Sequence, residues 1–294
     1  MVDTSKTFQV MAHSVMILLS LVCLLPFVLL IISSVTNEAT LIRDGYSFLL
    51  RSFDISAYKY LLLDSDSVLR GYGISVFVTV VGTVANLVMT TLFAYPLARR
   101  ELPGKSFFAF FLFFTMLFNG GLVPSYMMWT QVFDIKNSIW ALIVPNLMMG
   151  AFNVILMRTY FTTNVPEAVI EAAKIDGAGE YRILTRVVLP MSLPILATLS
   201  LLIGLAYWND WLNGLYFINK SNLYSVQVLL NKMLLNTQFL KSSAAAGMNI
   251  DTSTIPSTGI RMAVAVMGVL PVLVAYPFFQ RYFVKGIAIG AVKG

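Results

Sequence analysis

Residues Glu171 to Pro190, EAAKIDGAGEYRILTRVVLP, form a polar island between two long apolar runs, and their order calls for a pair of short helices. Just upstream, Asn164 stands three residues before Glu167 in a pattern like a capping box, and Pro166 suits a first helical turn. The pattern predicts a helix from there to about Asp176. Gly177 would stop it by taking the left-handed conformation, in which a residue with a Cβ is strained. A second short helix is expected to carry Tyr181, Ile183, Leu184 and Val187 and to close at Leu189 and Pro190. Helices shorter than about 12 to 15 residues are marginal in water, so the pair needs a surface to pack on. Ala172 and Ala173 give the first helix a low-profile face able to enter a partner's cleft.

The rest of the chain must house this island. Its 294 residues are 58% hydrophobic and 12% charged, a balance far from that of a soluble domain. The apolar runs are long and evenly spread, as in a multi-pass membrane protein. A net charge of +6 then reads as lysines and arginines near a membrane, not as a nucleic-acid surface. A lone cysteine, Cys23, excludes an internal disulfide, and a lone histidine, His13, leaves no His or Cys metal cluster. Both lie in the first apolar segment. Cys23 follows Leu21 and Val22 rather than the small residue that lipoprotein processing needs.

Six spans are expected, at about 11–35, 73–98, 106–129, 139–160, 193–218 and 261–282, in one all-α membrane domain over 1–294. The first is too long for a signal-peptide core and has no small-residue cleavage site after it. The polar stretches 36–72 and 219–260 fall on one side and the loop 161–192 on the other. The acids, bases, tyrosines and leucines of 36–72 suggest short helices lying against the membrane surface. An even number of spans places both termini on the side of the 161–192 loop. That side holds eleven lysines and arginines against nine, a slight excess that leans toward a cytoplasmic location for it.

No enzyme site is visible. Nucleophilic catalysis wants a base beside a nucleophile, and no GxxxxGK[ST] phosphate loop occurs, so this chain is not itself an ATPase. An intramembrane aspartyl protease needs two buried acids, and within the spans only Asp210 qualifies. At a helix centre it would cost about 2.5 to 3.5 kcal/mol to insert, which places it at the outer end of the fifth span. Asn119, Asn146, Asn153, Tyr207, Asn209 and Asp210 could hydrogen-bond a sugar, with Trp208 or Trp211 stacking on a pyranose face. The competing reading, favoured for any single residue, is that the asparagines join helices at roughly 0.6 kcal/mol each while the tryptophans mark an interface.

In the island, Glu-Ala-Ala is followed after three residues by Gly177, and after nine more by Val187, any residue, Leu189 and Pro190. This spacing resembles the EAA loop of bacterial ABC importer permeases, with Val where Ile is usual. Ala94 to Lys105, AYPLARRELPGK, is similar to a segment of carbohydrate-importer permeases. Asn119 to Tyr126, NGGLVPSY, looks like the GGLIPTY segment of the branch that includes LplC and YtcP. Gly286, Gly290 and the final Ala291 to Gly294 resemble the tail of the maltose-type "G" permease.

The resemblance implies a type I ABC importer permease with cytoplasmic coupling helices, one half of a heterodimeric pore for an oligosaccharide or related glycan. Its partners would be a second, F-like permease, an ATPase homodimer or heterodimer, an extracytoplasmic solute-binding protein and membrane lipids, with no nucleic acid. No cofactor belongs to the chain itself; ATP and Mg would sit on the ATPase. Glu167, Glu171, Ala172, Ala173, Asp176, Gly177, Leu189 and Pro190 would couple to that ATPase, and Gly290, Lys293 and Gly294 would reach it from the tail. Glu171 is the expected partner of an ATPase arginine. The location implied is the bacterial plasma membrane, with both termini cytoplasmic. An ABC permease for another solute class and a secondary transporter remain as alternatives; the latter more often shows internal repeats or intramembrane ion-coupling acids.

Overall fold

The computed structural model describes residues 6–64, 66–245 and 258–291. Every named element among them is helical, and an isolated antiparallel bridge joins Thr36 to Phe53. The chain divides into two compact units, Met1–Leu69 with Leu229–Pro271, and Arg70–Val228 with Val272–Gly294.

The first unit begins with α1 (Lys6–Ser34), an apolar helix of 29 residues whose side chains are mostly exposed until Ser33 and Ser34 in its last turn. Such a surface is suited to lipid, since the helix satisfies its own backbone and shows only apolar groups outward. Asn37 caps α2 (Glu38–Asp44), accepting the Ala39 N–H at 3.0 Å and donating to Asp54 at 3.0 Å. A further short helix, α3 (Ser56–Lys59), runs into a wide turn at Tyr60–Asp64, and Tyr58 shares a 2.8 Å hydrogen bond with Ser34. Glu38 does more than its sequence position suggests. Its two carboxylate oxygens accept the Thr258 and Gly259 N–H groups at 2.7 Å each, where the last helix starts and its orphan donors favour an anion.

The next helix, α4 (Asp66–Ala98), has 33 residues and is about 50 Å long. It starts ahead of the expected Gly73. Along it Val76, Phe77, Val80, Val84 and Val88 are exposed, whereas Ser75, Asn86, Thr90 and Thr91 are buried. Val78, Ala94 and Leu97 are buried beside them, so the interior face mixes polar and apolar groups while the outward face is apolar, the reverse of what water selects for an outward face.

After α4 come α5 (Lys105–Leu117) and α6 (Leu122–Met127), the latter continuing in a wide turn through Val132. The two directions differ by 112°, so the stretch expected as a third span is bent, at the place where two glycines and a proline inside the apolar run call for a break or kink. Gly121 at φ 85° makes the corner, and Asn119 accepts the Gly121 N–H at 2.9 Å.

The stretch expected as a fourth span is interrupted: α7 (Trp140–Ile143) is separated from α8 (Ala151–Asn164) by Val144 to Gly150. Pro145 cannot donate to a helix ladder, and Asn146 has a left-handed φ of 61°. The chain continues with α9 (Glu167–Ile175), α10 (Glu180–Ile183), a wide turn at Leu184–Val188, and α11 (Leu189–Met191). Then follow α12 (Leu193–Trp208), α13 (Leu212–Phe217), α14 (Val226–Ala245) and α15 (Thr258–Ala291). Thus the polar stretch expected as a loop at 219–260 contains a helix of 20 residues, and the expected tail continues α15 to Ala291.

Among the described residues, four segments are long and apolar enough to cross a membrane: Lys6–Ser34, Asp66–Ala98, Leu193–Phe217 and Thr258–Gln280. The bent pair would bring the number to five. The core of the second unit includes Ile143, Met157, Leu199, Ile203 and Tyr207. Here α4 and α12 meet so closely that a Cβ on Gly82 would lie 2.5 Å from the Tyr207 ring.

Candidate functional site

The helix pair following α8 is organised by its turn. The Gly177 N–H donates to the Lys174 carbonyl at 3.0 Å and the Ala178 N–H to the Ala173 carbonyl at 2.9 Å, while Gly177 holds φ at 77°. These two bonds are the Schellman closure of α9. No atom lies within 4 Å of the place a Gly177 Cβ would take, so only backbone conformation requires glycine here.

The start of α9 differs from the sequence expectation. Pro166 occupies the cap position, and the Asn164 amide turns back to the Tyr160 carbonyl and the Thr163 hydroxyl at 3.3 and 2.8 Å. Nor does Leu189-Pro190 close the second helix, since α11 carries the chain on toward α12. Within the pair Ile170, Ile183, Leu184 and Val188 are buried, which seats both helices on the second unit. Glu167, Glu171, Ala172, Asp176 and Pro190 are exposed, and Ala173 and Leu189 are half-buried. Ile175 and Tyr181 flank the turn at 87% and 77% exposure, the largest apolar groups the pair leaves uncovered.

The pair is also tied to the C-terminal end of α4 and the turn after it. The Tyr95 hydroxyl donates to one Glu180 carboxylate oxygen, and the Arg99 guanidinium and Lys174 ammonium each lie 3.6 Å from the other. Lys174 also donates to Glu101 at 2.7 Å, and Arg100 pairs with Glu167 at 3.3 Å. The hydrogen bond from Lys174 holds the Glu101 carboxyl below its usual pKa and raises that of Lys174. Sequence reasoning missed Tyr95, Arg99 and Glu180 as a set, because 85 residues separate Tyr95 from Glu180 and no local pattern links them.

The polar residues of the apolar segments fall into separate places. Three carbonyls in and beside the break between α7 and α8 are satisfied from three other points. Tyr207 donates its hydroxyl to Ile143 at 2.9 Å, Asn213 its amide to Pro145 at 2.9 Å, and Asn86 its amide to Leu147 at 2.6 Å. Irregular backbone at membrane depth persists only where such partners exist. Tyr207 and Trp208 are buried, with the Trp208 ring 6.1 Å from that of Tyr72. Asn209 bonds back to the Leu205 carbonyl at 3.0 Å. Asp210 starts α13, accepting the Leu212 and Asn213 N–H groups at 3.1 and 3.3 Å. Asn146 is exposed in the break, Asn153 is half-buried on the first turn of α8, and Asn119 sits at the separate bend before α6. Tyr207 is therefore committed to packing, and Asn86 and Asn213 are interior polar groups that sequence reasoning did not single out. Gly290 lies in the last turn of α15, while Lys293 and Gly294 fall outside the described residues.

Among the described residues, no group of three or more His, Cys, Asp or Glu side chains is placed to hold a metal ion.

Residues 92–289 match a family described as "Binding-protein-dependent transport system inner membrane component". The chain is 34% identical over 296 residues to the polygalacturonan/rhamnogalacturonan transport system permease protein YtcP of Bacillus subtilis (strain 168), covering 99% of each. It is 36% identical over 273 residues to protein LplC of the same organism, covering 93% of this chain and 90% of LplC. Its structure is similar, with a TM-score of 0.81 and 27% identity over 96% of this chain and 99% of the other, to a crystal structure. That structure is of a bacterial ABC transporter involved in the import of the acidic polysaccharide alginate.

Proposed function

Because the chain belongs to the family of inner membrane components of binding-protein-dependent transport systems, we propose that it is a permease subunit that couples an ATPase to import of an oligosaccharide or related glycan. It is a membrane component and not an enzyme; ATP hydrolysis belongs to a separate subunit. The transport names of YtcP and of the alginate importer support the solute class.

The observation that carries the coupling role is the α9 surface. A helix of nine residues presents Glu167, Glu171 and Ala172 outward, with Asp176 exposed as its C-cap in a glycine-closed turn and Ile170 buried on the other side. In this reading an ATPase cleft grips α9 by its Ala172 and Ala173 face, Glu171 pairs with an arginine there, Gly177 sets the angle between the two short helices, and Leu189 and Pro190 belong to the same coupling segment. Nucleotide-driven closure of the ATPase dimer, loaded with ATP and Mg, then rocks the spans between inward-facing and outward-facing states. The chain crosses the bacterial plasma membrane six times, the third crossing bent and the fourth interrupted, and both termini are cytoplasmic. Gly290, Lys293 and Gly294 extend toward the ATPase. A second, F-like permease completes the pore, and an extracytoplasmic binding protein delivers the solute.

The test is co-purification of the tagged chain in mild detergent from a host supplying its neighbours, comparing wild type with Ala172→Asp. A second permease and an ATPase should appear with wild type, and the ATPase should be lost from the variant. A verified folded chain that emerges alone, or only with itself, would overturn the reading in favour of a secondary transporter.

A further inference from the structure

We propose that Glu180 is a positioning residue that fixes the helix pair to the C-terminal end of α4, so that motion imposed on α9 is delivered directly to that helix. The proposal rests on the reading of α9 as the ATPase-gripped element and adds a route by which the motion leaves it.

A helix of nine residues is a weak lever on its own. By chain connectivity α9 reaches only α8 on one side and α10 on the other. Between α9 and the end of α4 lies a cleft of about 330 Å³, lined in part by Tyr95, Arg99, Phe161, Pro166 and Glu167. Ala94, Leu97, Ile170 and Ile183 belong to one buried apolar cluster, which is non-directional, and polar contacts add a directional tie to it. One donor and two cations converge on the Glu180 carboxylate: the Tyr95 hydroxyl donates to it from α4, and Arg99 just after α4 and Lys174 of α9 each lie at an ion-pair distance of 3.6 Å. Lys174 extends the chain to Glu101.

Burial separates this cluster from an ordinary surface pair. The side chains of Arg100 and Glu167 are 82% and 49% exposed, so water can replace either partner. The Glu180 side chain is itself 53% exposed, but Tyr95 is 6% exposed and the Arg99 side chain 15%, so without Glu180 a buried phenol loses its acceptor and a largely buried cation its counter-charge. The Arg99 guanidinium also lies 5.9 Å from the Tyr95 ring centroid, which holds the two donors in one arrangement. Glu180 thus has a fixed receiver on α4 and a link to α9.

The experiment uses the complete importer in lipid nanodiscs. Cys23→Ser removes the native thiol, and spin labels are placed at Leu92→Cys on α4 and Arg182→Cys on α10, both exposed positions. The distance between labels is read by pulsed electron resonance, without nucleotide and with ATP and vanadate. With Glu180 present, the distance stays the same in both states. In Glu180→Gln it shifts with nucleotide by about 1 to 2 Å or broadens, while the ATPase remains bound. Tyr95→Phe, which removes one hydroxyl, should act in the same direction and covers the case in which Glu180→Gln does not fold. A nucleotide-dependent shift already present in the parent, a constant distance in both variants, or loss of the ATPase from Glu180→Gln would each overturn the proposal. Retention of the ATPase by Ala172→Asp would instead refute the docking reading on which it rests.

Discussion

Replacing Gly82 with alanine should destabilise the chain, although alanine is the better helix former. The added Cβ would sit 2.5 Å from Cε1 and Cζ and 2.8 Å from Cδ1 of Tyr207, where ordinary contact begins at 3.4 Å. The ring cannot swing aside freely, because its hydroxyl is bonded to the Ile143 carbonyl at 2.9 Å and the residue is buried. Overpacking of this kind costs about 1 to 3 kcal/mol. A strained or broken hydrogen bond adds about 0.6 kcal/mol at membrane depth. Helix propensity returns about 1 kcal/mol. The net loss is about 0.5 to 2.5 kcal/mol, a factor of about 2 to 70 in the folded-to-unfolded ratio. The assay is reversible unfolding in mixed micelles of increasing SDS fraction, followed by tryptophan fluorescence. The decisive comparison repeats Gly82→Ala in a Tyr207→Leu background. With the ring gone, the alanine should become stabilising by about 1 kcal/mol, a reversal of sign. Equal destabilisation in both backgrounds would refute the contact as the cause.

At Gly177, valine and asparagine should part company. Both add a Cβ in open space, but the left-handed backbone costs roughly 1 to 2 kcal/mol for an ordinary side chain and less for asparagine; ATPase recovered with the tagged chain should fall for Gly177→Val and hold for Gly177→Asn. Asn86→Leu and Asn213→Leu should each cost about 0.6 to 1.7 kcal/mol in the SDS assay, and their sum in the double variant, because they serve different carbonyls. Unchanged unfolding midpoints would show that the interrupted segment does not depend on them.

Features with local causes were legible in the sequence. Gly177 could be read as a helix stop because the left-handed conformation selects glycine whatever lies nearby, and the two glycines of Asn119 to Tyr126 announced a break. The start of α9 was not, since Asn164 had two local options and its amide took the preceding turn. The interruption between α7 and α8 was legible only as Pro145 and Asn146 inside an apolar run. Whether such a run continues depends on acceptors being met from Asn86, Tyr207 and Asn213, which lie 61 to 68 residues away in sequence. A separation of 85 residues likewise hid the Tyr95–Glu180 tie. At 219–260 the expectation concerned only the stretch between two spans and its polar later part, and the 20 helical residues of α14 went unread within it.

The buried polar side chains of α4 also bear on how the chain is made. Asn86 finds the Leu147 carbonyl 61 residues downstream, and the Ser75 hydroxyl oxygen finds the Val226 N–H 151 residues downstream. At a synthesis rate of about 5 to 20 residues per second, these partners emerge about 3 to 12 s and 8 to 30 s after α4. Meanwhile the Thr90 hydroxyl donates to the Asn86 side-chain oxygen at 2.9 Å, a bond that needs nothing outside one helical turn. The helix can therefore enter the bilayer with part of its polar stripe closed on itself and wait there, and each later segment that arrives completes it. Translation order becomes assembly order, with α4 as the post to which the rest of its unit is moored.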